Sequence, residues 1–209
     1  MPVLLRAALL VLMLSGGASA AEECDLPPRV QPQDTEKVFG VRWVLVEAFS
    51  DYPAGEELLR NASSSTVEMK HTHSNRTSLF VERNIVGGKC LIFRVNMTMS
   101  DPETSNHTMH LAHAGEQEFD GVVSPYDDQG RADVHQSCPD CLTIIYHGVF
   151  AGTPGRMLLI YRKEGKHLDA DELKAAQGEH RKIAECLKFK LESNFRYDGK
   201  ADFCLDKKE

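Results

Sequence analysis

Six cysteines, nine histidines and four Asn-x-Ser/Thr triplets are the residues of this 209-residue chain with the most obvious chemistry in reach. Cys138-Pro139-Asp140-Cys141 has the spacing of a thiol–disulfide exchange pair. Such pairs open a helix that follows a strand, where the helix dipole lowers a thiol pKa. Here the pair leads into Leu142 to Phe150, an apolar run that reads as a strand, so a local structural disulfide is the expectation. Zinc held by the same pair needs further ligands, and no second Cys-x-x-Cys is present. The histidines are His71, His73, His107, His110, His113, His135, His147, His167 and His180. His71 and His73 share one face of a strand, whereas a spacing of three scatters His107, His110 and His113 over both faces. All are read as surface histidines, and no metal site is expected. Gly-x-Ser-x-Gly, His-Glu-x-x-His and a glycine-rich phosphate loop are absent. No catalytic residue and no cofactor are therefore expected.

The compartment follows from the ends and the cysteines. Arg6, the apolar run Ala7 to Leu14 and Ala18-Ser19-Ala20 make a signal peptide over 1–20. Cleavage leaves one domain, 21–209, of about 190 residues, enough for a sizeable core. No later run is long and apolar enough for a membrane helix. Cys24, Cys90, Cys138, Cys141, Cys186 and Cys204 all remain, which reads as three disulfides with fifteen possible pairings. The triplets at Asn61, Asn75, Asn96 and Asn106 are expected to be glycosylated. A formal net charge of -7 argues against a nucleic-acid partner, which requires a basic face. A secreted, soluble glycoprotein is the expectation.

The elements that must position these residues are mostly strands. Val38 to Ser50 holds the only tryptophan, Trp43, and after Gly40 it reads as a strand apolar on both faces. Trp43, Leu45 and Glu47 share one face; Val44, Val46 and Ala48 share the other. Further strands are predicted at Thr66 to His71, Thr77 to Asn84, Lys89 to Met99, Thr108 to His113, Glu118 to Ser124, Leu142 to Phe150 and Arg156 to Arg162. Turn signals at Gly87-Gly88, Asp101-Pro102, Ala114-Gly115, Pro125 to Gly130 and Gly152 to Gly155 separate them. Short strands with short turns suit an antiparallel meander or barrel. Glu22 to Lys37 reads as an extended leader. Asp51 to Ser65 reads as a long polar loop with a helical turn at Glu56 to Arg60. A helix is predicted over 169–187, N-capped by Asp169 with Glu172 three residues on, and with Leu168 and Leu173 placed for a hydrophobic staple. Leu173, Ala176, Ile183 and Leu187 give it an apolar face to lay on the barrel. A tail, 188–209, carries Cys204.

Glycine then tryptophan on a first strand, eight strands and a final helix together resemble a lipocalin. Leu158-Leu159-Ile160-Tyr161, Asp171-Glu172-Leu173, Glu185-Cys186-Leu187, Tyr197-Asp198 and Cys204 follow the order and spacing of the orosomucoid type. Leu159 to Gly165 with Glu179 to Leu187 is most similar to a fish branch of that group that binds organotins and toxins. Two features depart from the pattern: both Val41 and Arg42 stand between Gly40 and Trp43, and Cys138-Pro139-Asp140-Cys141 has no counterpart. The fold implied is all-β, an eight-stranded antiparallel up-and-down barrel with the helix packed outside. The resemblance also implies Cys24–Cys186 and Cys90–Cys204, leaving Cys138–Cys141 over. One lipocalin branch is an isomerase with a free cysteine in the barrel; with every cysteine partnered, that activity is not expected here.

A barrel of eight strands holds one small ligand. A glycan on Asn96 would turn Asn96, Arg94, Ile92 and Cys90 outward, and Leu91, Phe93, Val95 and Met97 inward. On the other strands the resemblance sets the phase. It makes Leu45, Glu47, Phe80, Glu82, Asn84, Met109, Leu111, Ile144, Tyr146, Leu159 and Tyr161 inward, so that with Phe93 they form a ligand site. The implied partner is a small hydrophobic or amphiphilic molecule, with Glu82 favouring a cationic or hydrogen-bond-donating one. The alternative is an acute-phase or immunomodulatory glycoprotein acting through its surface and glycans. Oligomeric state is not legible.

Overall fold

Hydrogen bonds close eight antiparallel staves into a barrel, the staves following one another in chain order. The structure, a computed structural model, describes residues 24–73, 76–101, 103, 105–112, 115–126, 129–150 and 152–205. The expected signal peptide, the Asn75 glycosylation site and His113 lie outside the described residues. Strands β1 (Arg42–Ser50), β2 (Ala62–His71), β3 (Thr77–Val86) and β4 (Lys89–Met99) are the first four staves. β5 (Met109–Leu111) and β6 (Gly115–Phe119) both pair with β4 and form one interrupted stave. β7 (Val122–Tyr126) and β8 (Arg131–His135) form the next. β9 (Cys141–Phe150) and β10 (Thr153–Lys163) complete the ring, with β10 returning to β1.

The middle of the chain departs from the reading of its sequence. The strand expected over Glu118 to Ser124 is a hairpin that turns at Asp120 and Gly121, both in the left-handed region at φ 52° and 86°. Asp-Gly is a strong hairpin signal, masked here by the apolar residues on both sides. Pro125 lies inside β7, not in a turn; β7 ends the strand order, and an edge position tolerates a residue without an N–H. β8 had not been expected. Its inward residues Ala132 and Val134 alternate with Asp133 and His135, which face out.

The floor is sealed from below. The leader, rather than being extended throughout, forms a 3-10 helix over Pro32–Lys37 and places Val38 under the barrel. Gly40, at φ 66°, makes the turn into β1 and donates its N–H to Met69 O at 2.9 Å. Trp43 is completely buried, and its Nε1 donates to Val38 O at 3.1 Å. The extra residue between Gly40 and Trp43 therefore leaves the indole on the floor.

Helix α1 (Pro53–Asn61) crosses the opposite end, with Pro53 in its first turn, where a missing N–H costs nothing. β2 follows it directly, earlier than the serine run had suggested. Helix α2 (Ala170–Cys186) packs on the outer wall. Asp169 Oδ1 accepts from the Glu172 N–H at 3.0 Å, while Leu168 stays 57% exposed and closes no staple. Leu173, Ile183 and Leu187 rest with Ala184 on Val46, Phe49, Ile145, Leu158 and Ile160.

The tail is structural. β2 pairs with β1 only from Arg42 to Val44, and the upper edge of β1 is taken over by β11 (Phe195–Arg196). Tyr197 N donates to Val46 O, and Ser64 Oγ donates to Asp202 O at 2.6 Å, so the tail bridges the gap between β1 and β2. Disulfides join Cys24–Cys186, Cys90–Cys204 and Cys138–Cys141. Among the described residues no helix is long and apolar enough to cross a membrane.

Candidate functional site

Alternation along each strand sends one set of side chains into the barrel, and there they enclose a cavity of about 260 Å³. Leu45, Phe80, Glu82, Asn84, Phe93, Met109, Leu111, Ile144, Tyr146, Leu159 and Tyr161 all reach its wall, together with Val95 and Met97. The register accounts for this placement: Glu82 stands opposite Phe93, and Leu159 opposite Ile144.

Glu47 is the exception. β1 carries a bulge between Leu45 and Glu47: Leu45 faces Tyr161, Glu47 faces Ile160, and Val46 is the extra residue. One extra residue reverses the phase of everything beyond it. Glu47 therefore points out of the barrel and under α2. There it accepts from His180 Nδ1 at 2.8 Å and from Arg196 Nη2 at 2.6 Å. Burial raises the Glu47 carboxyl pKa, but the hydrogen bonds from His180 and Arg196 outweigh it and hold the pKa below its ordinary value. His180 is thereby buried, as are His135 and His167, against the expectation of surface histidines throughout.

The remaining wall comes from residues that strand reading misses. Tyr52, Ala54, Leu58 and Leu59 of α1 and its approach close the mouth, and Ser65 and Met69 enter from β2. Tyr52 lies against Gly55 and Gly155, where any Cβ would collide with its ring. Its hydroxyl approaches Met157 Sδ at 3.5 Å. Tyr146 is seated in the same way: a Cβ on Gly130 would fall on its hydroxyl. Glycines opposite aromatic rings were the available signal, though legible only once the pairing is known. Tyr126 packs on Phe93 with ring centroids 4.8 Å apart.

One acid sits in this apolar wall. Glu82 Oε1 accepts from Asn84 Nδ2 at 2.8 Å. Loss of water pushes the Glu82 carboxyl above its ordinary pKa of 4.5, and the Asn84 bond offsets only part of that. Burial, and then the nearby Glu82 charge, hold the Tyr161 hydroxyl well above its usual value, so Tyr161 stays a neutral donor. Donor and carboxyl stand on a wall built largely of aromatic faces and aliphatic groups, with Ser65, Asn84 and Gln117 the other polar side chains on it. That wall suits a ligand with an apolar body and one cationic or hydrogen-bonding end.

Exposed positions carry the remaining expected features. Asn61, Asn96 and Asn106 are exposed, and Arg94, Ile92 and Cys90 lie on the same side of β4 as Asn96, away from the cavity. Every cysteine is paired among the described residues.

A closed antiparallel barrel floored by its leader, flanked by one helix and enclosing one apolar cavity is the lipocalin fold. Solved lipocalins superpose on it: the siderocalin Ex-FABP at a TM-score of 0.57, with 10% identity over 81% of this chain and 99% of that one. A dog lipocalin allergen does so at 0.55, with 15% identity over 81% and 99%. At these identities the likeness is one of fold. No family model matches the sequence. The sequence is homologous to saxitoxin and tetrodotoxin-binding proteins 1 and 2 of Takifugu pardalis, each 37% identical over 203 residues, 95% of this chain and 49% of theirs. The chain thus spans about half the length of the curated relatives it matches.

Proposed function

We propose that this protein is a secreted carrier that reversibly binds one small lipophilic or amphiphilic molecule in its barrel. The apolar wall supplies most of the affinity, and Glu82 receives a cationic or donating end. The observation that carries the reading is a half-buried carboxyl, Glu82, facing a largely apolar cavity with Asn84 as its hydrogen-bond partner. Burying a carboxyl without a counter-charge is unfavourable, and a cation entering the cavity removes that penalty. The toxin-binding relatives support a sequestering role, in which binding and release are the whole activity. Three disulfides and exposed Asn61, Asn96 and Asn106 support an extracellular glycoprotein.

Calorimetry with an alkylammonium ligand and its neutral isostere tests the proposal on native protein and on Glu82→Gln. The expected result is saturable binding of the cation, weakened selectively by Glu82→Gln. Equal losses for both ligands remove Glu82 from the site. Absence of saturable binding by any of a panel of lipophilic cations, steroids and fatty acids overturns the carrier reading.

A further inference from the structure

Outside the barrel, the fold brings together three side chains that no part of the carrier reading uses. We propose that His107, Asp133 and His147 form a binding site for a divalent zinc ion on the outer wall. His107 precedes β5, Asp133 lies on the outward side of β8, and His147 on that of β9. Their donor atoms all lie within 4.8 Å of one another.

Asp133 accepts from both histidines as the site stands, and the same spacing fits a metal, the third edge, between the two imidazoles, being at most 4.8 Å. Asp133 Oδ2 lies 3.1 Å from His107 Nδ1 and 3.4 Å from His147 Nε2. With bonds of about 2.0–2.2 Å, the edges of a tetrahedron of ligands around zinc measure roughly 3.3–3.6 Å. Closing two of the three edges therefore takes shifts of a few tenths of an ångström. Two imidazoles and one carboxylate are an established zinc donor set that leaves a fourth position for water. His107 and His147 side chains are 21% and 22% exposed and Asp133 10%, so the site is recessed yet open to solvent.

A second feature points the same way. Among the described residues Asp133 Oδ1 is buried without a hydrogen bond, and the close partner there is Arg29 Nη2 at 3.3 Å. Arg29 holds that oxygen aside and turns Oδ2 toward the two histidines. Outer partners that orient a ligating carboxylate are a regular part of metal sites. The guanidinium also adds positive charge, as does Arg131, which stands beside His147 in the sheet register. The site is therefore one of moderate affinity.

The test uses the full, tag-free, disulfide-bonded protein. Zinc(II) is titrated by calorimetry, and cobalt(II) is followed by its visible ligand-field spectrum. Expected are one ion per chain, a four-coordinate cobalt spectrum, and affinity at least about tenfold lower in His107→Gln, in Asp133→Asn and in His147→Gln, a loss that removing an outer partner alone can cause. His73→Gln, at an exposed histidine remote in sequence, is expected to change nothing. Should Asp133→Asn fail to fold by Trp43 emission, His107→Gln, which precedes its strand, decides. Absence of one-to-one binding, or binding that persists unchanged in His107→Gln and His147→Gln, overturns the site.

Discussion

Asn84 donates to Glu82 across one repeat of β3, Nδ2 to Oε1 at 2.8 Å, and this is the hydrogen bond that steadies the acid of the cavity. Residues two apart on a strand share a face, so the same alternation that turns Glu82 toward the cavity delivers its partner. The carboxyl nevertheless stays above its ordinary 4.5, because one neutral donor does not replace lost water.

That shift has a definite sign. A raised folded pKa means the empty barrel is favoured with Glu82 neutral. This contribution is fully present below 4.5 and is lost as pH rises through the raised value. Glu82→Gln should therefore stabilise the ligand-free protein at neutral pH and leave it unchanged in acid, as read by thermal unfolding at both. Cation affinity should move the other way, falling as pH drops through the same range, while a neutral isostere binds with little pH dependence. In Glu82→Gln the cation should lose about 2–5 kcal/mol, a factor of roughly thirty or more.

The Glu47–His180 contact ties α2 to the barrel. Glu47 is 2% exposed and its pKa is lowered, so its contribution is present above 4.5 and lost as pH falls through the folded value. His180→Ala should cost about 1.5–3 kcal/mol, typical of a hydrogen bond to a charged group. Denaturant unfolding at neutral pH should show that loss, shrinking toward acid. Ligand affinity should hold, because Glu47 faces away from the cavity.

Gly130→Ala places a methyl on the Tyr146 hydroxyl. The ring must shift, costing about 1–3 kcal/mol as overpacking does. Affinity for ligands that fill the cavity should fall, and ligands much smaller than 260 Å³ should be least affected. Calorimetry across a size series reads this directly.

Replacing Cys90 and Cys204 together by alanine frees the tail. Loss of a native disulfide typically costs about 2–5 kcal/mol. Hydrogen exchange should rise first at Tyr197 and Asn194, whose N–H groups bond the edge of β1. Unchanged protection there would show that β11 holds without its crosslink.

The fold was legible from Thr77 to Met99 and from Leu142 to Cys186, because those strands alternate or run apolar between clear glycine turns and the helix has a cap and an apolar face. Across Glu118 to His135 it was not. Asp120-Gly121 sits in a run apolar enough to pass for a strand, and β8 reads as polar until its outward face is seen. The inward set follows period-two alternation with a phase that came from the Asn96 sequon on β4 and from the lipocalin resemblance on the other strands, and the geometry puts those side chains on the cavity wall. That phase failed at Glu47, because one bulge residue, Val46, reverses it.

What the sequence by itself determined is local: the strand and helix types, the Asp169 cap, and the supply of apolar inward residues, all set by period and propensity. The tertiary structure alone decided which strands meet, where β1 bulges, that α1 covers the mouth and that the tail replaces β2 beside β1. It also brought His107, Asp133 and His147 together from separate segments. Contacts between residues far apart in the chain depend on register and closure. Those are properties of the whole barrel, and no short stretch of sequence carries them.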